Sequence, residues 1–251
     1  MTSAPASPSP PRICWRHGIG IFAAAMLLHA CGTMHTPPEP RAEPEPPRWQ
    51  RVRFHIQWSR SDPPQWHVDA LLAHRVAAPL LDRERQSIAL WRFHRRAARD
   101  ATGHSPSLLT QAGAAANERI CLGIKADPLV IELRQAGVLD RVECEVFPAE
   151  REGLVEATSD ARWSIPLQRA WPHFIMGTSE SWLRLIDEHA RRLGGQEPVR
   201  TLPQILDFYR QVNDAVTDTW HREGHHAFLH HLNALFGYEP IDLGPDGRRR
   251  F

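Results

Sequence analysis

Hydrophobic and polar residues alternate strictly along residues 51–58. Val52, Phe54, Ile56 and Trp58 fall on one side, and Arg51, Arg53, His55 and Gln57 on the other. Successive side chains of a strand point to opposite faces, so this stretch predicts a strand with one covered face. Over residues 66–85 the spacing becomes helical. Val68, Leu71, Leu72, Val76, Leu80 and Leu81 form the stripe, and Pro79 is placed to kink or break the helix. Residues 88–95 predict a second strand, with Ala89, Trp91 and Phe93 on its covered face and Arg92 and His94 on the open one. A polar connection, 96–104, leads to a short third strand at 106–110. Helix follows over 114–135, interrupted at Asp127-Pro128 and closed by Gly137. A fourth strand at 139–147 turns Val142, Cys144 and Val146 toward the helices and Arg141, Glu143 and Glu145 away.

The order strand, helix, strand, strand, helix, strand is the ferredoxin-like arrangement. The expected fold class is therefore α+β, with a ferredoxin-like domain over 49–150 and a helical C-terminal part, 151–251, packed on it. Residues 148–163, across the boundary, read as loop. Thr178 or Ser179 is placed to cap a helix running to Leu193. Residues 202–236 form a long amphipathic stretch that bends at Gly224 and ends at Gly237.

Ahead of the first strand the pattern changes character. Arg12 and Arg16 precede an apolar run, 18–30, which has the make-up of an export signal. It falls short of the roughly 20 apolar residues that a membrane-spanning helix needs. The run closes on Leu28-His29-Ala30-Cys31. These four residues resemble the lipobox of bacterial lipoproteins. The resemblance implies cleavage before Cys31, acylation of its thiol, and a signal peptide spanning 1–30. Gly32 after the cysteine implies sorting to the outer membrane, with the body on its periplasmic face. Residues 31–48 carry Pro37, Pro38, Pro40, Pro44, Pro46 and Pro47 with Glu39, Glu43 and Glu45 between them. Such a segment buries little apolar surface and suits an extended tether.

Charge and cysteine usage narrow the possible partners. Thirty basic residues against 29 acidic ones give no global field, so nucleic acid is not an expected partner. The expected partners are a membrane, reached through the lipid anchor, and a protein or peptide. Of the four cysteines, Cys14 leaves with the signal and Cys31 carries lipid. Cys121 and Cys144 remain, either as a disulfide suited to an oxidising compartment or as two separate thiols.

Three constellations could carry chemistry. The open sheet face gathers Arg53, His55, Arg92, His94, Glu143 and Glu145, able to hold a ligand or to stand as a solvated face. In the C-terminal helix His221 and His225 lie four residues apart, as do His226 and His230, a spacing that lets two imidazoles share a metal. Arg222 stands where a zinc protease has its glutamate, and spacing supplies no third ligand. The aromatic segment Trp171-Pro172-His173-Phe174 reads as a lid on the core. The chain contains no nucleophile elbow, phosphate loop or dinucleotide fingerprint, so no cofactor is expected and catalysis is not the favoured role.

A second resemblance runs through the body. Trp91-Arg-Phe-His-Arg95 with Gly103-His104, then Val146-Phe-Pro-Ala-Glu-Arg151, then 227–237 with His230, Asn233 and Gly237, are similar in order to motifs of the C-terminal domain of lantibiotic dehydratases, which also occurs alone in thiopeptide biosynthesis. That family eliminates glutamate from glutamylated Ser or Thr of a precursor peptide. The resemblance would carry over Arg92, His104, Glu150, His230 and Asn233, and it adds His104 to the candidate face. The family's Arg-x-Arg is Ser105-Pro106-Ser107 here, and its Tyr-Gly-Gly is reduced to Glu152-Gly153.

Overall fold

The computed structural model describes residues 46–59, 61–194 and 201–237. The apolar run, Cys31 and most of the tether lie outside the described residues.

Four strands form one antiparallel sheet: β1 (Arg48–Ile56), β2 (Ile88–His94), β3 (Ser107–Ala112) and β4 (Leu139–Val146), in the order β2-β3-β1-β4. Helices make both long connections. Between β1 and β2 run α1 (Trp66–Leu71), a wider π turn (Leu72–Ala77) and α2 (Ala78–Arg83). Between β3 and β4 run α3 (Ala114–Lys125) and α4 (Pro128–Gln135). The π turn sits immediately before Pro79. A widened turn relaxes the ladder where a proline lacks its N–H, so the helix continues across it. At Asp127 the side chain accepts from Leu129 N–H at 2.9 Å and caps α4, while Pro128 takes the first helical position.

These connecting helices cover the face that carries Val52, Phe54 and Ile56. Leu71, Leu72, Leu108, Ile120, Ile124, Leu133 and Leu139 complete the core there, each with 1% or less of its surface exposed. Burying such a side chain contributes roughly 1.5–3 kcal/mol. Beneath α3 the polar atoms are satisfied. Thr110 Oγ1 donates to Asn117 Oδ1 at 2.8 Å, and Asn117 Nδ2 donates to the carbonyls of Arg48 and Ala112. Cys121 of α3 and Cys144 of β4 are joined by a disulfide, with their Cα atoms 6.1 Å apart.

The helical part departs most from the sequence pattern. The helix assigned to a cap at Thr178 or Ser179 begins far earlier: α5 spans Ile165–Gly194, and Ser179 lies in its middle. There Ser179 Oγ donates back to the Ile175 carbonyl at 2.8 Å and accepts from the Phe93 N–H of edge strand β2 at 3.0 Å. A serine bonded to its own helix in this way does not act as a cap. Pro172 lies inside α5 and frees the carbonyl four residues back, that of Gln168. Ser159 Oγ donates to that carbonyl at 2.6 Å. Residues 148–163, expected as loop, contain two 3₁₀ turns, Ala149–Arg151 and Val155–Thr158. Ala89 is not on the covered face. It is exposed at a bulge, because Ile88 pairs with Ala112 and Leu90 already pairs with Gln111.

The next helix, α6 (Leu202–Thr219), sends Phe208, Tyr209, Val212 and Val216 into the core over α1 and α5. A π segment (Trp220–Leu229) spans Gly224, where the bend was expected, and α7 (His230–Leu235) follows before Gly237, at φ 76°. Among the described residues no helix is long and apolar enough to cross a membrane.

Ser159→Ala should cost about 1 kcal/mol in urea unfolding, because the freed carbonyl loses its donor. In a Pro172→Ala background the helix supplies its own N–H, and the same change should cost little.

Candidate functional site

The second sheet face divides into an apolar end and a charged end. Trp49, Leu90, Leu109 and Phe147 form a small core with Ala157, under the second 3₁₀ turn and the first half of α5, where Met176 packs. The charged end follows from the strand register. Arg92 of β2, Leu109 of β3, Arg51 of β1 and Glu145 of β4 stand in one row across the sheet. His94, Ser107, Arg53 and Glu143 stand in the next. Directly paired residues of antiparallel strands share a face, so all eight side chains project from this one.

Its charges are not evenly matched. Glu143 accepts from Arg141 Nε at 2.7 Å and lies 2.8 Å from His55 Nε2. Those two contacts, Arg141 first, hold its carboxyl down to about 2. Glu145 pairs with Arg51 at 3.3 Å. Both acids are therefore engaged along the β4 edge. Among the described residues neither Arg53 nor Arg92 has a carboxylate partner. Arg92 is largely buried. Its Nη2 donates to the Thr158 carbonyl at 3.4 Å and its Nε is enclosed with no partner. Burial, then the charge of Arg51, lowers its pKa to about 10. His94 is lowered as well, first by desolvation and then by Arg92, Arg51, Arg96 and Arg53.

Of the seven residues expected on this face, six lie there: Arg53, His55, Arg92, His94, Glu143 and Glu145. His104 does not join them. It is 1% exposed and packed edge-on against Trp58 and Trp66, with its Nε2 2.8 Å from Asp69 Oδ1. That contact is close without hydrogen-bond alignment, since both atoms remain unpartnered by geometry. Asp69 Oδ2 accepts from Arg95 Nε at 3.0 Å, and the Arg95 guanidinium lies between the rings of Trp66 and Trp182, 4.9 and 4.8 Å from their centres. Sequence reasoning passed over this cluster because its members sit in four separate segments. The Asp69–His104 pair has the composition of an acid–base dyad. Sealed from solvent, with His104 Nδ1 accepting from Gln65 N–H at 3.3 Å, it serves as structure.

The five residues singled out by the dehydratase resemblance have different neighbours. Arg92 leans on Thr158 and His104 on Asp69, Glu150 is exposed in a 3₁₀ turn, and His230 stacks on His226 in the C-terminal extension, where Asn233 also lies. His221 is exposed, and the His225 side chain lies outside the described residues. Among the described residues no three His, Cys, Asp or Glu side chains converge as a metal site would need.

Two cavities open on other sides of the body. One of about 470 Å³ lies between α2 and α5, beside His74, Trp91 and Asp187. Another of about 290 Å³ lies beside Trp66, Arg95, Asn213 and Thr217. The first carries charges of both signs, and in the second Arg95 is already held by Asp69. No protein family, curated protein or solved structure matches the chain.

Asp69→Ala should cost about 3–5 kcal/mol in chemical unfolding, because Arg95 loses its buried counter-charge. On the sheet face, the imidazole resonances of His94 should titrate below 6.5 by NMR, and Arg92→Gln should move the midpoint upward. The neutral ring is favoured in the fold. His94 therefore opposes folding as pH falls through 6.5, where the unfolded chain takes up its proton first, and the penalty is complete below the folded midpoint.

Proposed function

We propose that the chain is an exported envelope protein, anchored by lipid on Cys31, whose body binds a partner through the charged end of its sheet. The observation that carries the binding reading is the pair Arg53 and Arg92, two guanidinium groups on one face with no carboxylate between them. A folded protein gains nothing from a largely buried, unpaired arginine, whereas a partner that brings negative charge offsets its desolvation. The disulfide supports the exported reading, because such bonds persist in oxidising compartments. The body is read as ferredoxin-like. The strand order and the two helical connections, each of which crosses one intervening strand, support that topology.

The role is binding rather than catalysis. The sealed acid–base pair of Asp69 and His104 is out of reach of a substrate, and the charges on the sheet face are held in ion pairs or stand isolated among the described residues.

Two measurements on the full chain test this. Cys31→Ala should release the protein from the membrane fraction or leave the signal uncut. An unchanged mature mass and unchanged fractionation would sink the anchored reading. A photo-crosslinking residue at position 53 should give an adduct in cells that the same residue at exposed Ile131 of α4 does not. Identical patterns at the two positions would remove the binding face.

A further inference from the structure

The rows of the sheet specify more than a positive patch. Arg92 and Arg53 stand diagonally across β3, and His94 and Arg51 complete the four corners. β1 and β2 flank β3, so their backbones are about 10 Å apart. The floor between them is Leu109 and Ser107, both buried. Ser107 is small and covered by its neighbours, so the polar groups on this face come from the flanking strands. Of the three arginines among these corners, only Arg51 has a carboxylate partner among the described residues, Glu145. The remaining charge to be matched is two full positive charges, with an imidazole that can add a third.

Arg92 is oriented for this by its surroundings. The 3₁₀ turn ending at Thr158 holds Nη2, and Nε is enclosed. Among the described residues Nη1 has no hydrogen-bond partner, and it is not enclosed, so it is the nitrogen presented to a ligand. Donors thus stand on this face from β1 on one side of β3 and β2 on the other. A planar carboxylate is satisfied by one guanidinium fork. A tetrahedral oxyanion directs its oxygens several ways and can engage donors on both sides at once. Its double charge also matches Arg92 and Arg53 together.

We propose that the surface patch formed by Arg92, His94 and Arg53 is a binding site for a phosphate-type dianion, either a free phosphate or the head group of a phosphomonoester lipid. This rests on the binding reading given above and names its ligand class. The groups facing His94 are Arg51 and Arg53 on β1, Arg92 on β2 and Arg96 just beyond β2, with Glu143 and Glu145 on β4 already engaged. Arg96 itself is paired with Asp100. A dianion bound among these cations reverses the sign of the field at His94 and draws a proton onto it.

The test uses the full chain in detergent, titrated calorimetrically with inorganic phosphate at pH 7 and constant ionic strength. Saturable binding is expected. Arg92→Gln should weaken it at least about tenfold, the scale of a lost charged hydrogen bond. Arg53→Gln should weaken it severalfold, and Arg210→Gln on α6 should leave it unchanged. Arg53 is half-buried, less enclosed than a core residue, and carries the test if Arg92→Gln fails to fold. Bound phosphate should raise the His94 midpoint, and vesicles containing phosphatidic acid, against phosphatidylcholine alone, tell lipid from free phosphate as the source. Absence of saturable binding to phosphate and to phosphatidic acid alike, equal affinity for acetate, or full binding by both sheet variants would overturn the proposal. A position-53 crosslink that persists without phosphate or phosphatidic-acid binding would leave the binding face standing and remove only its ligand class.

Discussion

The side chain of Asp69 has no exposed surface, and the body is arranged around the contacts it makes. Its two partners, Arg95 and His104, come from opposite ends of the connection between β2 and β3. That connection carries little hydrophobic surface of its own. Arg95 also donates to the Trp66 carbonyl at 2.9 Å and to Asn213 Oδ1 at 3.3 Å, and so reaches α1 and α6. One buried charge thereby fixes the hairpin to the helix layer and the helix layer to the C-terminal helices. Removing any one partner leaves an uncompensated group in a low-dielectric interior, which is why such clusters form completely or not at all.

The same arrangement keeps the two sheet faces distinct. With Asp69, Arg95 and His104 on the helix side, the cations of the other face belong to a separate environment. Helix α5 borders both environments. Its early turns close the apolar end of the second face, and its later turns, with Ile186 and Ala190, enter the main core. The Ser179 hydroxyl, in between, takes up the edge amide of Phe93. An edge strand with a spare N–H is a template for unwanted pairing, and a helix laid along it removes that hazard on the β2 side. On the β4 side Arg141, Glu143 and Glu145 do so by charge.

Much of the sheet was legible in the sequence because strict alternation ties each residue to a face. Val52, Phe54 and Ile56 had to point together, and with them Arg53 and His55 on the reverse. Ala89 broke the rule, since a bulge shifts the period by one residue and leaves no compositional trace. Trp58 looked like a fourth member of the β1 stripe, yet β1 ends at Ile56 and Trp58 turns to His104 instead. The early start of α5 was hidden by Pro172, which argues for a break unless a distant hydroxyl is known to be near. The same limit hid the Asp69 cluster and the role of Thr158 as the wall behind Arg92. Such groups are brought together by topology, and spacing along the chain says nothing of it.

The bond from Ser159 to the Gln168 carbonyl has a consequence for how this protein can vary. Pro172 is tolerated because a hydroxyl thirteen positions upstream takes the carbonyl that it strands. A chain that lost the proline would have no further use for the hydroxyl. One that lost the hydroxyl first would carry a helix with a gap in its ladder. Positions 159 and 172 therefore form one unit of sequence change. The passable route between the two states removes the proline before the serine.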